Sequence, residues 1–125
     1  MLTALQVRNY VLIDSLEIDF PEGLIIITGQ TGAGKSILLG ALGLVMGSKA
    51  DSSMVSEGAD NCVVEAEFET SDMSIRDVLE ENEAEWEDGH LTIRRVVNRS
   101  GRSRAFVNDC PVSVTVLQDI ASRLV

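Results

Sequence analysis

The sequence predicts an α/β fold of mixed α+β character, with a mixed sheet wrapped around one central helix and further antiparallel strands. Three observations predict it. The apolar run Leu24-Ile25-Ile26-Ile27-Thr28 leads into Gly29-Gln30-Thr31-Gly32-Ala33-Gly34-Lys35-Ser36, and the apolar stretch Ile37-Leu38-Leu39-Gly40-Ala41-Leu42 follows. Two alternating segments, residues 5–8 and 16–20, precede that run with no helix between them. Mostly strand-like segments come after it. Ordinary α/β domains alternate strand and helix from the start, so the order argues against a simple nucleotide kinase.

Residues 29–36 fit G-x-x-x-x-G-K-[ST], the phosphate-binding P-loop, in the strand–loop–helix context the motif needs. The fold is therefore that of a P-loop NTPase. A loop that wraps phosphate with backbone N–H groups needs positions free of side chains, which Gly29, Gly32 and Gly34 supply. The helix that follows aims its unpaired N–H groups and the positive end of its dipole at the anion. Lys35 would reach the β- and γ-phosphates, and the Ser36 hydroxyl would ligate Mg²⁺. The candidate nucleotide-binding residues are Gly29, Gln30, Thr31, Gly32, Ala33, Gly34, Lys35, Ser36 and Ile37, with ATP and Mg²⁺ as cofactors.

Each remaining element has its own signal. Residues 5–8 and 16–20 alternate apolar and polar, as half-buried strands do. Pro21-Glu22-Gly23 is a turn. The all-apolar residues 24–28 read as a strand covered on both faces. The P-loop helix should stop near Gly47. Residues 48–61 are polar and lack a period, so they read as a loop. Residues 63–69 alternate, with an acidic outer face. Residues 71–74 offer N-caps for a short helix at 75–81. Residues 80–88 hold six acids in nine and read as a solvated loop. Residues 90–98 and 103–108 form a hairpin about Arg99-Ser100-Gly101-Arg102. Asn108-Asp109-Cys110-Pro111 is another turn, and residues 113–124 read as a helix with Val114, Leu117, Ile120, Ala121 and Leu124 on one face.

Composition narrows the function further. The 125 residues are the size of one domain, 45% are hydrophobic and only 4% aromatic, so aliphatic side chains must fill the core. A formal charge of −10 gives no global attraction for nucleic acid or an anionic membrane. The first residues lack the pattern of an export signal, and no apolar run approaches the ~18 residues of a membrane span. Cys62 and Cys110 have no C-x-x-C partner; beside a P-loop they read as free thiols in a reducing cytoplasm. A GTPase would show N-K-x-D, which does not occur. The reading that remains open beside an ATPase is a stand-alone nucleotide-binding module or kinase-like NTPase.

Leu5-x-Val7-x-Asn9-Tyr10-x-Leu12-Ile13, followed by a strand, Pro21-x-Gly23 and the P-loop, resembles the head domain of SMC-like ATPases. The longer stretch from Thr28 to Leu44, with Gly101-Arg102-Ser103-Arg104-Ala105-Phe106-Val107-Asn108, is similar to the RecN family of bacterial double-strand-break repair ATPases. The resemblance covers nearly the whole chain. It implies an ABC/SMC-type head lobe, residues 1–125 being the N-terminal segment of a head whose coiled coil and C-terminal segment lie elsewhere. It implies that two heads of a homodimer sandwich ATP, so that ATP gates dimerisation, and that the intact protein is an ATPase acting in DNA repair and recombination. The groups that cut the bond would lie outside this segment, which alone would be inactive. Lys49 and Ser56 stand where the family often has arginine.

The resemblance also places Arg8 and Asn9 close to the nucleotide. Tyr10-Val11-Leu12-Ile13-Asp14 has the look of a Mg²⁺-binding strand, but it precedes the P-loop and lacks a following Glu, so it reads as a turn. Arg94, Arg95, Arg99, Arg102 and Arg104 are the basic cluster. Neighbours on a strand face opposite ways, so Arg94 and Arg95 cannot share a patch. Arg99, Arg102 and Arg104 can meet at the hairpin tip, to contact DNA phosphates or a partner head, or to pair with nearby acids. His90 reads as a surface residue.

Overall fold

The computed structural model describes residues 1–20 and 32–124, with residues 32–36 described by their backbone. The turn expected at 21–23, the strand expected at 24–28 and the loop residues Gly29, Gln30 and Thr31 lie outside the described residues. Among the described residues six strands form one sheet: β1 (Leu2–Tyr10), β2 (Ile13–Asp19), β3 (Asn61–Glu69), β4 (His90–Asn98), β5 (Ser103–Val107) and β6 (Cys110–Val112). Their spatial order is β2-β1-β3-β4-β5-β6, and every pairing is antiparallel. Three helices, α1 (Gly32–Val45), α2 (Met73–Glu81) and α3 (Val114–Leu124), cover one face.

Alternation sets that face. In β3, Cys62, Val64, Ala66 and Phe68 are buried while Glu65 and Glu67 turn outward. In β4, Leu91, Ile93, Arg95 and Val97 are buried. A one-residue slip would exchange each inner set for the outer one. With roughly 1.5–3 kcal/mol at stake for each fully buried aliphatic side chain, the register is strongly specified. Ala41, Leu44 and Val45 of α1, Ile75 and Leu79 of α2, and Leu117 and Ile120 of α3 complete the core.

Local chemistry fixes the element ends. Asp72 caps α2, accepting from the Ser74 backbone N–H at 2.8 Å, and the Ser113 hydroxyl accepts from the Val116 N–H at 3.1 Å to start α3. The turn expected at 108–111 is narrower: Asn108 and Asp109 both take positive φ, 48° and 65°, as a two-residue hairpin requires. Cys110 and Pro111 then pair with Val107 and Phe106 as an edge strand, where proline is tolerated.

Two loops are more ordered than expected. In residues 48–61, a 3-10 turn (Ser52–Met54) leads to Val55, which bridges Tyr10, and the Ser56 N–H donates to Asn9 O at 2.8 Å. In the acidic stretch, Ala84 is buried, Trp86 packs on the core, and Asn108 Nδ2 donates to Glu85 O at 2.7 Å. Apolar residues interleaved among the acids anchor the loop. Among the described residues no helix is long and apolar enough to cross a membrane.

Both cysteines are free. Burial raises the Cys62 thiol above its ordinary range, and burial, with the Cys62 charge second, raises the Tyr10 hydroxyl. Folding therefore holds both protons, and the stability this gives is complete below the thiol's ordinary value of about 8.5 and is lost as pH rises through the raised folded value. Denaturant midpoints should fall on going from pH 8 toward pH 10, and Cys62→Ala should flatten that fall; midpoints measured across the pH range test it.

Candidate functional site

Helix α1 begins at Gly32, inside the P-loop motif, so the backbone of Gly32, Ala33, Gly34, Lys35 and Ser36 forms its first turns. The first N–H groups of any helix lack intrahelical partners, and the dipole adds positive potential there. No acidic residue sits in this first turn to oppose an anion.

The other end of α1 is closed twice over. Gly47, at φ 99°, donates to Leu44 O at 3.2 Å, and Ser48 N–H donates to Gly43 O at 2.9 Å, which together make a Schellman motif. A β-carbon on Gly47 would also collide with the Gln118 side chain, whose amide donates to Gly47 O at 2.9 Å. The second closure is Arg95. Its side chain points inward from β4 and is 1% exposed. Nη1 donates to Leu44 O at 2.9 Å and Ser48 O at 2.8 Å, and Nη2 donates to the Ser103 hydroxyl at 2.9 Å. Among the described residues no carboxylate pairs with it. The carbonyls at the negative end of the P-loop helix take that place. Burial lowers the guanidinium's pKa. Sequence reasoning separated Arg95 from Arg94 but missed this role. The signal was a cation at an inward position of the series Leu91, Ile93, Arg95, Val97.

A second contact fixes α1 midway. Tyr10, at the end of β1 and 5% exposed, lays its hydroxyl against Gly40, where a β-carbon would clash with it. The next residues form the β1–β2 turn, with Val11 at φ 51° and Leu12 at 87% exposure; Asp14 is exposed on β2. Asn9 takes φ 53° at the strand end. Arg8, paired across the strands with Ser15 and Val63, lies on the sheet face turned away from α1. The structure thus brings Tyr10, rather than Arg8, to the P-loop helix.

The hairpin between β4 and β5 is built around Asn98. Its Oδ1 accepts from the Ser100 and Arg102 backbone N–H groups, both at 3.1 Å, and from the Ser100 hydroxyl at 2.6 Å. Gly101, at φ 88°, lets the tip rest against Ser52. Arg99, Arg102 and Arg104 are all exposed at this end of the sheet; Arg99 lies 3.9 Å from Asp60. Arg94 is apart from them, bonded to Asp109 at 3.2 Å and stacked 4.6 Å over the Phe106 ring. His90 is a surface residue 3.7 Å from Glu67.

A family model described as an AAA domain matches residues 4–119. The chain belongs to the AAA domain family. This AAA domain is 40% identical to the DNA repair protein RecN of Haemophilus influenzae, over the whole chain and 23% of that protein. It is 38% identical to RecN of Vibrio cholerae over the same shares. The chain thus spans less than a quarter of the length of these relatives, at their N-terminal end. Its fold is that of SMC and RecF heads. A structure from work on ATP-driven dimerization and DNA-stimulated activation of SMC ATPases superimposes with a TM-score of 0.76 at 21% identity, covering 99% of this chain and 80% of that one. The SMC head domain from Thermotoga maritima gives 0.67 at 24%, covering 94% and 41%. The recombination mediator RecF gives 0.70 at 20%, covering 94% and 29%.

Two predictions concern how this AAA domain holds its P-loop helix. Gly40→Ala should destabilise it despite alanine's helix advantage of roughly 1 kcal/mol, because the new methyl meets the Tyr10 hydroxyl. In a Tyr10→Phe background the nearest remaining ring atom is 3.6 Å away, so the same substitution should become neutral or stabilising. A four-point double-mutant cycle in urea reads the change of sign. Arg95→Met keeps bulk but removes three hydrogen bonds from a charged donor, which should cost about 3 kcal/mol or more. Arg95→Lys should recover only part of that, because an ammonium lacks the fork; denaturant titration measures both.

Proposed function

We propose that this chain is the ATP-binding part of a RecN-like ATPase that acts in DNA double-strand-break repair and recombination in the cytoplasm. ATP bound here gates the pairing of two heads. The observation that carries the reading is the placement of α1: it starts within the P-loop motif, has no acid in its first turn, and is held at its far end by Arg95.

The residues fit a nucleoside triphosphate. Gly29, Gln30, Thr31, Gly32, Ala33 and Gly34 would wrap the phosphates with backbone N–H groups, and the start of α1, through Ile37, would face them with its dipole. Lys35 would hold the β- and γ-phosphates, and Ser36 would hold Mg²⁺. Mg²⁺, when bound, neutralises charge on the phosphate oxygens. No group in this chain is assigned to activate water; that step belongs to the rest of the head and to its partner. Leu39, 59% exposed on α1, marks a side on which further protein would pack, since a helix apolar all round is a buried one.

The names of the RecN relatives support DNA as the partner of the intact protein. Arg99, Arg102 and Arg104 are the proposed contacts. Among the described residues Arg102 and Arg104 form no ion pair, and the Arg99–Asp60 approach is long and exposed.

Lys35→Ala in the complete protein should abolish ATP binding measured by calorimetry; an unchanged affinity would sink the assignment. The 125-residue chain alone should release no phosphate above background, and turnover near that of the complete protein would refute the division of the site.

A further inference from the structure

The sheet face turned away from α1 is electrically divided, and the strand register shows how. One row of outward residues runs Ser15, Arg8, Val63, Val96, Arg104 across β2, β1, β3, β4 and β5. It contains no acid. Past Val96 and Arg104 in the strand direction, β4 and β5 are joined by the hairpin tip that carries Arg99 and Arg102. The rows toward the opposite end of the sheet hold Glu17 and Glu65, then Asp19 and Glu67, then Glu69. The arginine of those rows, Arg94, is engaged by Asp109 and Phe106 and approaches Glu65 at 3.9 Å.

This separation runs against composition. The chain has 20 acidic residues and 10 Lys and Arg, so an exposed cation has many acids to pair with. Yet Arg8, Arg102 and Arg104 form no ion pair among the described residues. They gather at one end of one face. Arg8 and Arg104 are three strand spacings apart, roughly 14 Å. That span covers about four base-pair steps at ~3.4 Å each along the axis of a DNA duplex. Val63 and Val96, half-buried between them, give a neutral floor with no side chain that reads a base edge. The acidic rows repel a polyanion from the rest of the face and limit it to this row.

We propose that Arg8 and Arg104, continued by Arg99 and Arg102, form a sequence-independent track for the phosphate backbone of duplex DNA across the outer face of the sheet. The proposal rests on the reading of the hairpin as a DNA contact and extends it by Arg8, across three strands. It gives Arg8 a partner on the face where its side chain lies.

The test is a salt titration of the complete protein binding a short random-sequence duplex, followed by fluorescence anisotropy. Each phosphate contact contributes about 0.9 to the slope of log K against log salt. Arg8→Gln should lower the slope by about that amount and weaken binding several-fold at low salt, whereas Arg8→Lys should keep the slope. Arg76→Gln, on α2 and paired with Glu80, should change nothing. If Arg99→Gln and Arg102→Gln lower the slope while Arg8→Gln leaves it, the track is wrong and the hairpin contact stands. If the hairpin variants bind as the parent does, or the parent binds no duplex, the hairpin reading falls and the track with it. Loss of ATP affinity by Arg8→Gln at an unchanged salt slope would assign Arg8 to the nucleotide and overturn the track.

Discussion

The buried guanidinium of Arg95 is the interaction on which the placement of the nucleotide helix depends. A cation without a carboxylate partner in a sheet–helix interface needs justification. Desolvating such an ion costs several kcal/mol. The negative end of a helix dipole returns up to about 2 kcal/mol, which is too little alone. Three hydrogen bonds from a charged donor, at roughly 1.5–3 kcal/mol each, close the gap. The fork geometry matters because one Nη reaches two carbonyls while the other reaches Ser103. Nε is left without a partner among the described residues, a residual cost. The charge is therefore tolerated only while α1 ends where it does.

That condition works in both directions. Arg95 needs the carbonyls of Leu44 and Ser48, and those carbonyls come together only because the chain turns at Gly47 where α1 ends. Tyr10 supplies the second fixed point, at Gly40, one helical turn before Leu44. The two side chains come from β1 and β4, separated in the sheet by β3 alone. Two points of support one turn apart along the helix, from strands roughly 10 Å apart, hold α1 against the sheet. The direction of its first turn, where a triphosphate would meet it, follows from this hold. Glycine at 40 permits the close approach. Glycine at 47 ends the helix where Gln118 meets it, between the two carbonyls that Arg95 holds.

Much of this architecture was legible in the sequence. The strands β3 and β4 announce themselves by strict alternation, and β4 runs from His90 to Asn98 as the pattern indicates. Helices α2 and α3 follow from their caps and apolar faces. The P-loop is legible because phosphate binding demands particular residue types at fixed spacing. Periodicity reports which way a side chain faces but not what it meets, so Arg95 could be placed opposite Arg94 and no further. The edge strand β6 hid inside a turn signal, since Asn-Asp and Pro both mark turns until the positive φ values are known. The stitching of residues 48–61 to the end of β1 uses mostly backbone groups, which leave no trace in composition, with the Ser56 hydroxyl donating to Val11 O as the side-chain contribution. The resemblance places Arg8 close to the nucleotide, and the pairing of β1 fixes only the sheet face on which its side chain lies.

Register is what joins the two faces of the sheet. Arg94 and Arg95 are adjacent in the chain, yet one is stacked on Phe106 at the surface and the other holds α1 from within. Ser103 and Arg104 divide in the same way on β5, Ser103 receiving Arg95 inside and Arg104 standing outside opposite Val96. A slip of β5 by one residue would withdraw the hydroxyl from the guanidinium and bury the Arg104 charge in an apolar core. Either change alone costs more than an exposed ion pair returns. The hydrogen bond inside the core therefore fixes where the outer cations stand. The sheet presents Arg8 and Arg104 in one row because its inner face leaves the strands no other alignment.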